Sequence, residues 1–343
     1  MKVLFDLTHP AHVHLFKNTI WQFETEDVET RVISREKDLT TDLLDLYDID
    51  HTIISSKGDR AHALASEWLV RALRLSLIAL SFDPDVIVSR FNPAAAHAGK
   101  ISGTPSIQFD DTEQKPWIVR KLTYPFADCI CTPDCFGKDL GTNHRRYPGY
   151  HELAYLHPKR FDPDPSVLED VELTPDDQFV ILRLVGWNAV HDMNEGGMEN
   201  ISNVVEALEK SGVQVFVTSE GPIPDDIEHC QISVKPNRIH HLMYYADLYL
   251  GESVTMATES AVLGTPVVLV SSIRTGYTYE LEDEYQLLFG YGGEDRQYKG
   301  IQKAIEILED YEPSLWTDRR ETLLSEKVDT TEYIVDTIRE FGT

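Results

Sequence analysis

The sequence predicts an α/β chain of two Rossmann-like, doubly wound parallel-sheet domains facing each other across a cleft. Three observations predict it. Short apolar runs alternate with helical patterns along the chain, the alternation breaks once in a Pro- and Gly-rich stretch near the middle, and 343 residues exceed what one core usually holds.

The first half opens with the apolar run KVLFD (2–6), followed by Thr8-His9-Pro10, with Pro10 well placed at the first turn of a helix reaching about Phe23. Strand-like runs recur at TRVIS (30–34), HTII (51–54), DVIVS (85–89), PSIQF (105–109) and DCICT (128–132), with helical patterns over 61–80 and 93–101 between them. Residues 147–165, YPGYHELAYLHPKRFDPDP, show no usable periodicity and read as a linker. Alternation then resumes with FVILRL (179–184), a helix over 199–211, VQVFVT (213–218), a helix over 237–246, DLYLG (247–251), a short helix and VVLV (267–270). We therefore expect domains at 1–150 and 151–315, with two terminal helical patterns from Trp316 onward. Ligands of open α/β sheets bind at the carboxyl ends of strands, so the loops leaving those ends are where function is expected.

The helix running from Ala61 to Leu80 (AHALASEWLVRALRLSLIAL) is apolar nearly all round, apart from a stripe of Glu67, Arg71 and Arg74. Such a helix is expected to be buried against a sheet; the alternative is a basic, Trp-bearing helix in peripheral contact with an anionic membrane or a lipid-linked acceptor.

Net charge is −27, unevenly spread: 21 acidic and 17 basic side chains over residues 1–150, against 37 and 14 over the rest. A polyanion would be repelled, so nucleic acid is not an expected partner. Acid scattered over loops and helix faces fits a halophilic source, where salt screens self-repulsion. An anionic ligand must then be held by local devices. No apolar run is long enough to span a membrane, and MKVLFDLTHP reads as a strand, so a cytoplasmic protein is expected. Cys129, Cys131 and Cys135 do not complete a zinc pattern; alternation puts the first two on one strand face as buried thiols, with Cys230 alone.

The most informative stretch is 251–266, GESVTMATESAVLGTP, read as strand end, tight turn, short helix and turn. Gly251 permits a bend, Ser253 and Thr255 are N-cap types, and a helix start offers unpaired N–H groups and partial positive charge to a phosphate. Thr255 and Glu259, four apart, share one face. This pattern resembles the nucleotide-diphosphate site of GT-B glycosyltransferases and the matching segment of the non-hydrolysing UDP-GlcNAc 2-epimerases. The resemblance implies that Ser253, Val254, Thr255 and Met256 hold a diphosphate, that Glu259 accepts hydrogen bonds from ribose hydroxyls, and that a terminal helix crosses back onto the first domain. Truncating Glu259 is then expected to weaken UDP-sugar binding at a nearly unchanged melting temperature.

At the end of the first strand, Thr8-His9-Pro10-Ala11-His12-Val13-His14 gathers three imidazoles at a helix start. His exchanges protons near neutral pH, so His12 is the expected catalytic base or acceptor-orienting residue, with His9 and His14 behind it. A metal site is the weaker alternative, because His at i and i+2 point apart on a helix, and no metal or other cofactor is expected. HPAHVH, FDDTEQ and GYHELAYLHP resemble a largely archaeal family grouped with the GT-B fold, known as domain of unknown function 354. Asp110, Asp111 and Glu113 follow a strand; carboxylates so close repel, which suits acid–base work, although helix capping explains Asp111 equally. Arg183 near the end of FVILRL suits a diphosphate, the Gly186 loop permits close backbone approach, and Lys235 also follows a strand.

G-x-G-x-x-G after the first strand, G-x-x-x-x-G-K-[ST] and G-x-S-x-G are all absent, which disfavours dinucleotide oxidoreductases, P-loop NTPases and α/β-hydrolases. The expected function is a metal-independent glycosyltransferase using a nucleotide-diphosphate sugar, UDP-linked, with an acceptor left open. A UDP-GlcNAc 2-epimerase or a non-catalytic sugar-nucleotide binder are the alternatives.

Overall fold

Strand β1 (Lys2–Leu7) is the axis of the first sheet, with β2 (Glu29–Glu36) on one side and β4 (Val86–Arg90) on the other, both parallel. A computed structural model describes residues 1–36, 39–56, 61–185, 198–232 and 234–342, with 61–66 in backbone alone. The chain divides into two units, Met1–Arg160 with Lys327–Thr343, and Phe161–Glu326.

In the first unit, β3 (His51–Ser56), β5 (Ser106–Phe109), β6 (Cys129–Pro133) and β7 (His144–Tyr147) complete a seven-stranded sheet of order β3-β2-β1-β4-β5-β6-β7. The helices between them are α1 (Pro10–Thr25), α2 (Thr40–Leu46), α3 (Ala61–Phe82), α4 (Pro93–Ser102) and α5 (Trp117–Thr123). Chain order reverses between β1 and β4, so the loops leaving these strands open at the sheet's switch point. Cys129 and Cys131 are buried on one face of β6, with their sulfurs 3.6 Å apart and unbonded.

Residues 147–165 are not a linker throughout. Tyr147, Tyr150, Leu153, Ala154 and Leu156 are wholly buried, and Leu153–Leu156 form the single turn α6 packed on α1. A turn enclosed on every side has no polar face, which is why it shows no period.

The second unit holds β8 (Phe179–Leu184), α7 (Ile201–Glu209), β9 (Gln214–Ser219), α8 (Ile239–Tyr245), β10 (Leu248–Gly251), α9 (Val254–Leu263), β11 (Val267–Val270), α10 (Gly276–Asp283), β12 (Leu288–Tyr291), α11 (Arg296–Glu309) and α12 (Pro313–Glu326). Its five parallel strands run in the order β12-β11-β10-β8-β9. Of the two terminal helices, α12 stays with this unit, its Arg320 donating from Nε to the Val262 carbonyl at 3.0 Å. Only α13 (Thr330–Phe341) belongs to the first unit, where Thr330 and Thr331 hydroxyls donate to the Tyr150 and Ala154 carbonyls at 2.7 and 2.6 Å.

Helix α3, expected to be buried against a sheet, is buried on one side only, and leucines on its other side are exposed. Its charged stripe faces the sheet: Glu67 accepts both Arg35 donors at 2.7 and 2.6 Å, and buried Arg71 reaches Asp6 in the middle of β1. Arg71 also donates to Ser34 O at 3.1 Å and Ser55 Oγ at 2.9 Å, while Asn92 donates to the other Asp6 oxygen at 2.6 Å. Positions 67, 71 and 74 recur every three or four residues, so the stripe is itself a packing face, one whose partners lie in distant strands. Its neighbours Leu75, Ala79 and Phe82 join the core, and Leu69, Leu73, Leu77 and Leu80 are left facing outward.

Burial pushes the Asp6 carboxyl up, against the pull of Arg71 and Asn92. Arg71→Met removes the only cation bonded to it among the described residues and should cost roughly 3–5 kcal/mol near neutral pH. A carboxyl whose folded pKa lies above its unfolded one stabilises below the unfolded value and loses that contribution as pH rises through the folded one. The deficit of the variant against the native chain should therefore grow from pH 5 to pH 8 in thermal melts followed by circular dichroism; a deficit that is larger at pH 5 contradicts this account.

Candidate functional site

At the carboxyl ends of β1, β4 and β5, the first unit collects a closed ring of charge. Asp110 is fully buried: Lys115 pairs with one oxygen, and Tyr124 donates to the other at 2.7 Å. Asp111, 2% exposed, takes Arg90 Nη2 at 2.6 and 2.5 Å and has His151 Nδ1 3.0 Å from Oδ2. Burial alone would raise its pKa; the Arg90 guanidinium and His151 override it and hold the carboxyl well below the usual carboxylate range. His151 is itself buried, and its Nε2 has no hydrogen-bond partner among the described residues. Each carboxylate has its cation, so the ring offers hydrogen-bonding groups without net charge.

His12 completes this ring. Burial, with Arg90, Lys115 and the other imidazoles nearby, holds its pKa well below the ordinary histidine value, so the ring is neutral near pH 7. Thr8 N–H donates to Nδ1 at 3.3 Å, which leaves the ring proton on Nε2. In this state His12 is a hydrogen-bond donor; to accept a proton at Nε2 it would first have to lose the bond to Thr8. His9 is spent on capping α1, its Nδ1 accepting from Ala11 N at 3.2 Å. The His9 and His12 rings lie together, centroids 5.9 Å apart, but His14 lies elsewhere, buried against Tyr155 with ring centroids 5.1 Å apart and 5.9 Å from Tyr47, so the third imidazole does not join them. An i, i+2 pair on a helix separates by about half a turn, and His14 accordingly serves the α1–α6 packing. Glu113 also turns away, its Oε1 accepting Gly137 N–H at 3.1 Å. His151, Arg90 and Lys115 were not singled out from the sequence; His151 falls within GYHELAYLHP, which entered only as part of the family resemblance.

Beside this ring a cavity of about 370 Å³ opens between α3, α4 and α5. Thr8 and Asn92 line its polar end, and Trp68, Leu69, Phe91 and Leu122 its apolar walls.

In the second unit the informative stretch folds as strand, turn and helix. Ser253 caps α9, its Oγ accepting Met256 N–H at 3.4 Å, while the N–H groups of Val254 and Thr255 open the helix with no partner among the described residues. Gly251 is required for contact rather than for conformation, since a Cβ there would sit 2.7 Å from Tyr249 OH and 2.9 Å from Arg183 O. The adjacent Glu252, unremarked in the sequence, is buried and accepts Met198 N–H at 2.6 Å and Val185 N–H at 3.0 Å. Gly186 lies outside the described residues. Arg183 is engaged, donating to Thr218 Oγ1 at 3.0 Å and Glu220 Oε1 at 2.6 Å, whereas Lys235 is exposed before a short 3₁₀ turn, Pro236–Arg238.

Glu259 is neither solvated nor free. It is 5% exposed and its Oε1 lies 3.0 Å from His240 Nε2 on α8. Removing the carboxylate would take this partner from a buried imidazole, so Glu259→Ala is expected to lower the melting temperature instead of leaving it nearly unchanged. His240, on the helix expected over 237–246, lies directly behind Glu259.

Two parallel-sheet α/β units, of seven and five strands, define the fold class shared by GT-B glycosyltransferases and UDP-GlcNAc 2-epimerases. The structure is similar to the UDP-GlcNAc 2-epimerase of Neisseria meningitidis bound to UDP-GlcNAc (TM-score 0.70, 14% identity, 99% of this chain and 100% of the other). It is similar also to the spinosyn forosaminyltransferase SpnP (TM-score 0.67, 13% identity, 100% and 99%). The chain belongs to the family described as "Protein of unknown function (DUF354)", which it matches over residues 1–277. It is 24% identical over 287 residues to protein MJ0665 of Methanocaldococcus jannaschii, covering 78% of this chain and 81% of that protein.

Gly251→Ala should lower stability by about 1–3 kcal/mol through overpacking, read as a fall in Tm. A melting temperature equal to the native one would mean that the contact with Arg183 and Tyr249 relaxes freely.

Proposed function

We propose that this protein is a glycosyltransferase whose donor is a nucleotide-diphosphate sugar, UDP-linked, bound by the second unit, and whose acceptor is bound by the first. The donor reading rests on the open N–H groups of Val254 and Thr255 at the start of α9, on Glu259 of the same helix, which His240 of α8 holds, and on the likeness in fold to proteins solved with UDP or UDP-GlcNAc. A chain of net charge −27 has no bulk attraction for a diphosphate, so oriented amides carry the binding, with Arg183, beside Gly251 and bonded to Glu220, as the neighbouring cation and Lys235 as a further candidate. As the diphosphate leaves, those donors stabilise the charge developing on it.

The observation that favours transfer over epimerisation is the cavity beside His12. An epimerase has no second substrate to house, and it needs carboxyl groups that exchange protons. Here Asp110 and Asp111 are buried and paired with Lys115 and Arg90. In a transferase the neutral His12 orients an acceptor hydroxyl through Nε2–H, and the apolar walls between α3 and α5 take the acceptor's body.

Two measurements test this. Glu259→Gln keeps an acceptor for His240 while removing the charge, and should weaken UDP-sugar affinity about tenfold by calorimetry, or ~1.4 kcal/mol, with little change in Tm. Affinity equal to the native chain's would take Glu259 out of the site. Incubation with UDP-GlcNAc and no acceptor should give at most slow release of UDP; accumulation of UDP-ManNAc would replace the transferase with an epimerase.

A further inference from the structure

The outward face of α3 continues onto α5. Leu69, Leu73, Leu77 and Leu80 recur along one side of α3 with exposures of 64, 56, 66 and 56%, and Trp117 and Ile118 of α5 are exposed by 63 and 52%. Helix α4 packs between the two. Apolar side chains gathered like this on a surface mark a contact with something.

Charge tells what. Helices α3, α4 and α5 supply this side of the first unit, and their 39 positions carry five basic residues and one acidic one, Glu67, which is paired with Arg35. At the chain's average of 58 acidic residues in 343, about seven would fall there. Arg74, which reaches the Ile54 carbonyl of β3 yet stays exposed at the rim of the stripe, and Lys121 flank the apolar face, and Lys121 Nζ lies 5.1 Å from the Trp117 ring. Pairing two copies through this face would set cations against cations with no carboxylate to answer them. A layer of anionic headgroups answers them, and an indole beside a lysine suits the boundary between headgroup and hydrocarbon. The cavity opens from the same face, since Trp68, Leu69 and Leu122 belong to both.

We propose that the α3–α5 face seats the protein on an anionic lipid bilayer, with the cavity open to a hydrocarbon chain from it. The protein lies on the surface: no described helix is long and apolar enough to cross a membrane. Seated this way, the face brings a lipid-linked acceptor to the ring around His12, a step that rests on the transferase reading; the seat itself does not.

Vesicle flotation of the full chain, without nucleotide sugar, tests the seat at the lowest salt at which circular dichroism shows it folded. Phosphatidylglycerol vesicles should carry the protein up at least tenfold better than phosphatidylcholine vesicles. The double variant Leu73→Glu/Leu77→Glu, at positions outside the core, should lose at least tenfold of that binding with an unchanged melt. Vesicles with brominated acyl chains should quench tryptophan fluorescence, less so in Trp68→Phe. Folded protein that stays down with phosphatidylglycerol, a double variant that floats as well as the native chain, or a dimer that the variant splits while vesicles take up neither form, each overturns the proposal. Because flotation needs no donor, a failed seat and a failed transferase are told apart.

Discussion

A carboxylate in the middle of a buried parallel strand must be answered by a cation, and Asp6 is answered by Arg71. That requirement fixes the rotation of α3: with Arg71 and Glu67 turned toward the sheet, the leucines on the opposite side have nowhere to go but outward. Asn92 shares Asp6 and also caps α4, so the same interaction sets the loop leaving β4, which carries Arg90 and Phe91. The interior of the first unit, its apolar face and one wall of its site therefore trace to a single ion pair.

The two units solve different chemical problems with similar sheets. In the first, cations and carboxylates are consumed by one another, leaving a neutral ring that can orient a hydroxyl beside an apolar cavity. In the second, the groups left open are backbone N–H groups at the start of α9, which suit an anion in a chain that repels anions at large. Glu252 and Glu259, both buried, are used inward, one accepting two backbone N–H groups and the other facing His240.

Strands with long apolar runs were legible because a strand buried on both faces must be apolar throughout; β8 and β11 coincide with the runs FVILRL and VVLV. The edge strands β7, HRRY, and β12, LFGY, were not, because each has only four residues with polar residues or glycine among them, whereas the longer edge strands β3 and β9 were read as HTII and VQVFVT. In the candidate site, His12, Asp110 and Asp111 were legible from their place after strands. Arg90, Lys115 and His151 were not, since each is defined by the carboxylate it meets, and those carboxylates lie 5 to 40 residues away in sequence.

By itself the sequence determined the alternation of strand and helix, the repetition of that pattern in two halves, and the strand–turn–helix at 251–266, because these are properties of neighbouring residues and their periods. Only the tertiary structure decided which way α3 faces, that residues 147–156 are core, that His14 and Glu113 stand apart from His12, and that Glu259 is locked to His240. Periodicity shows that a helix has two faces; which one is inside depends on what the distant strands present to it.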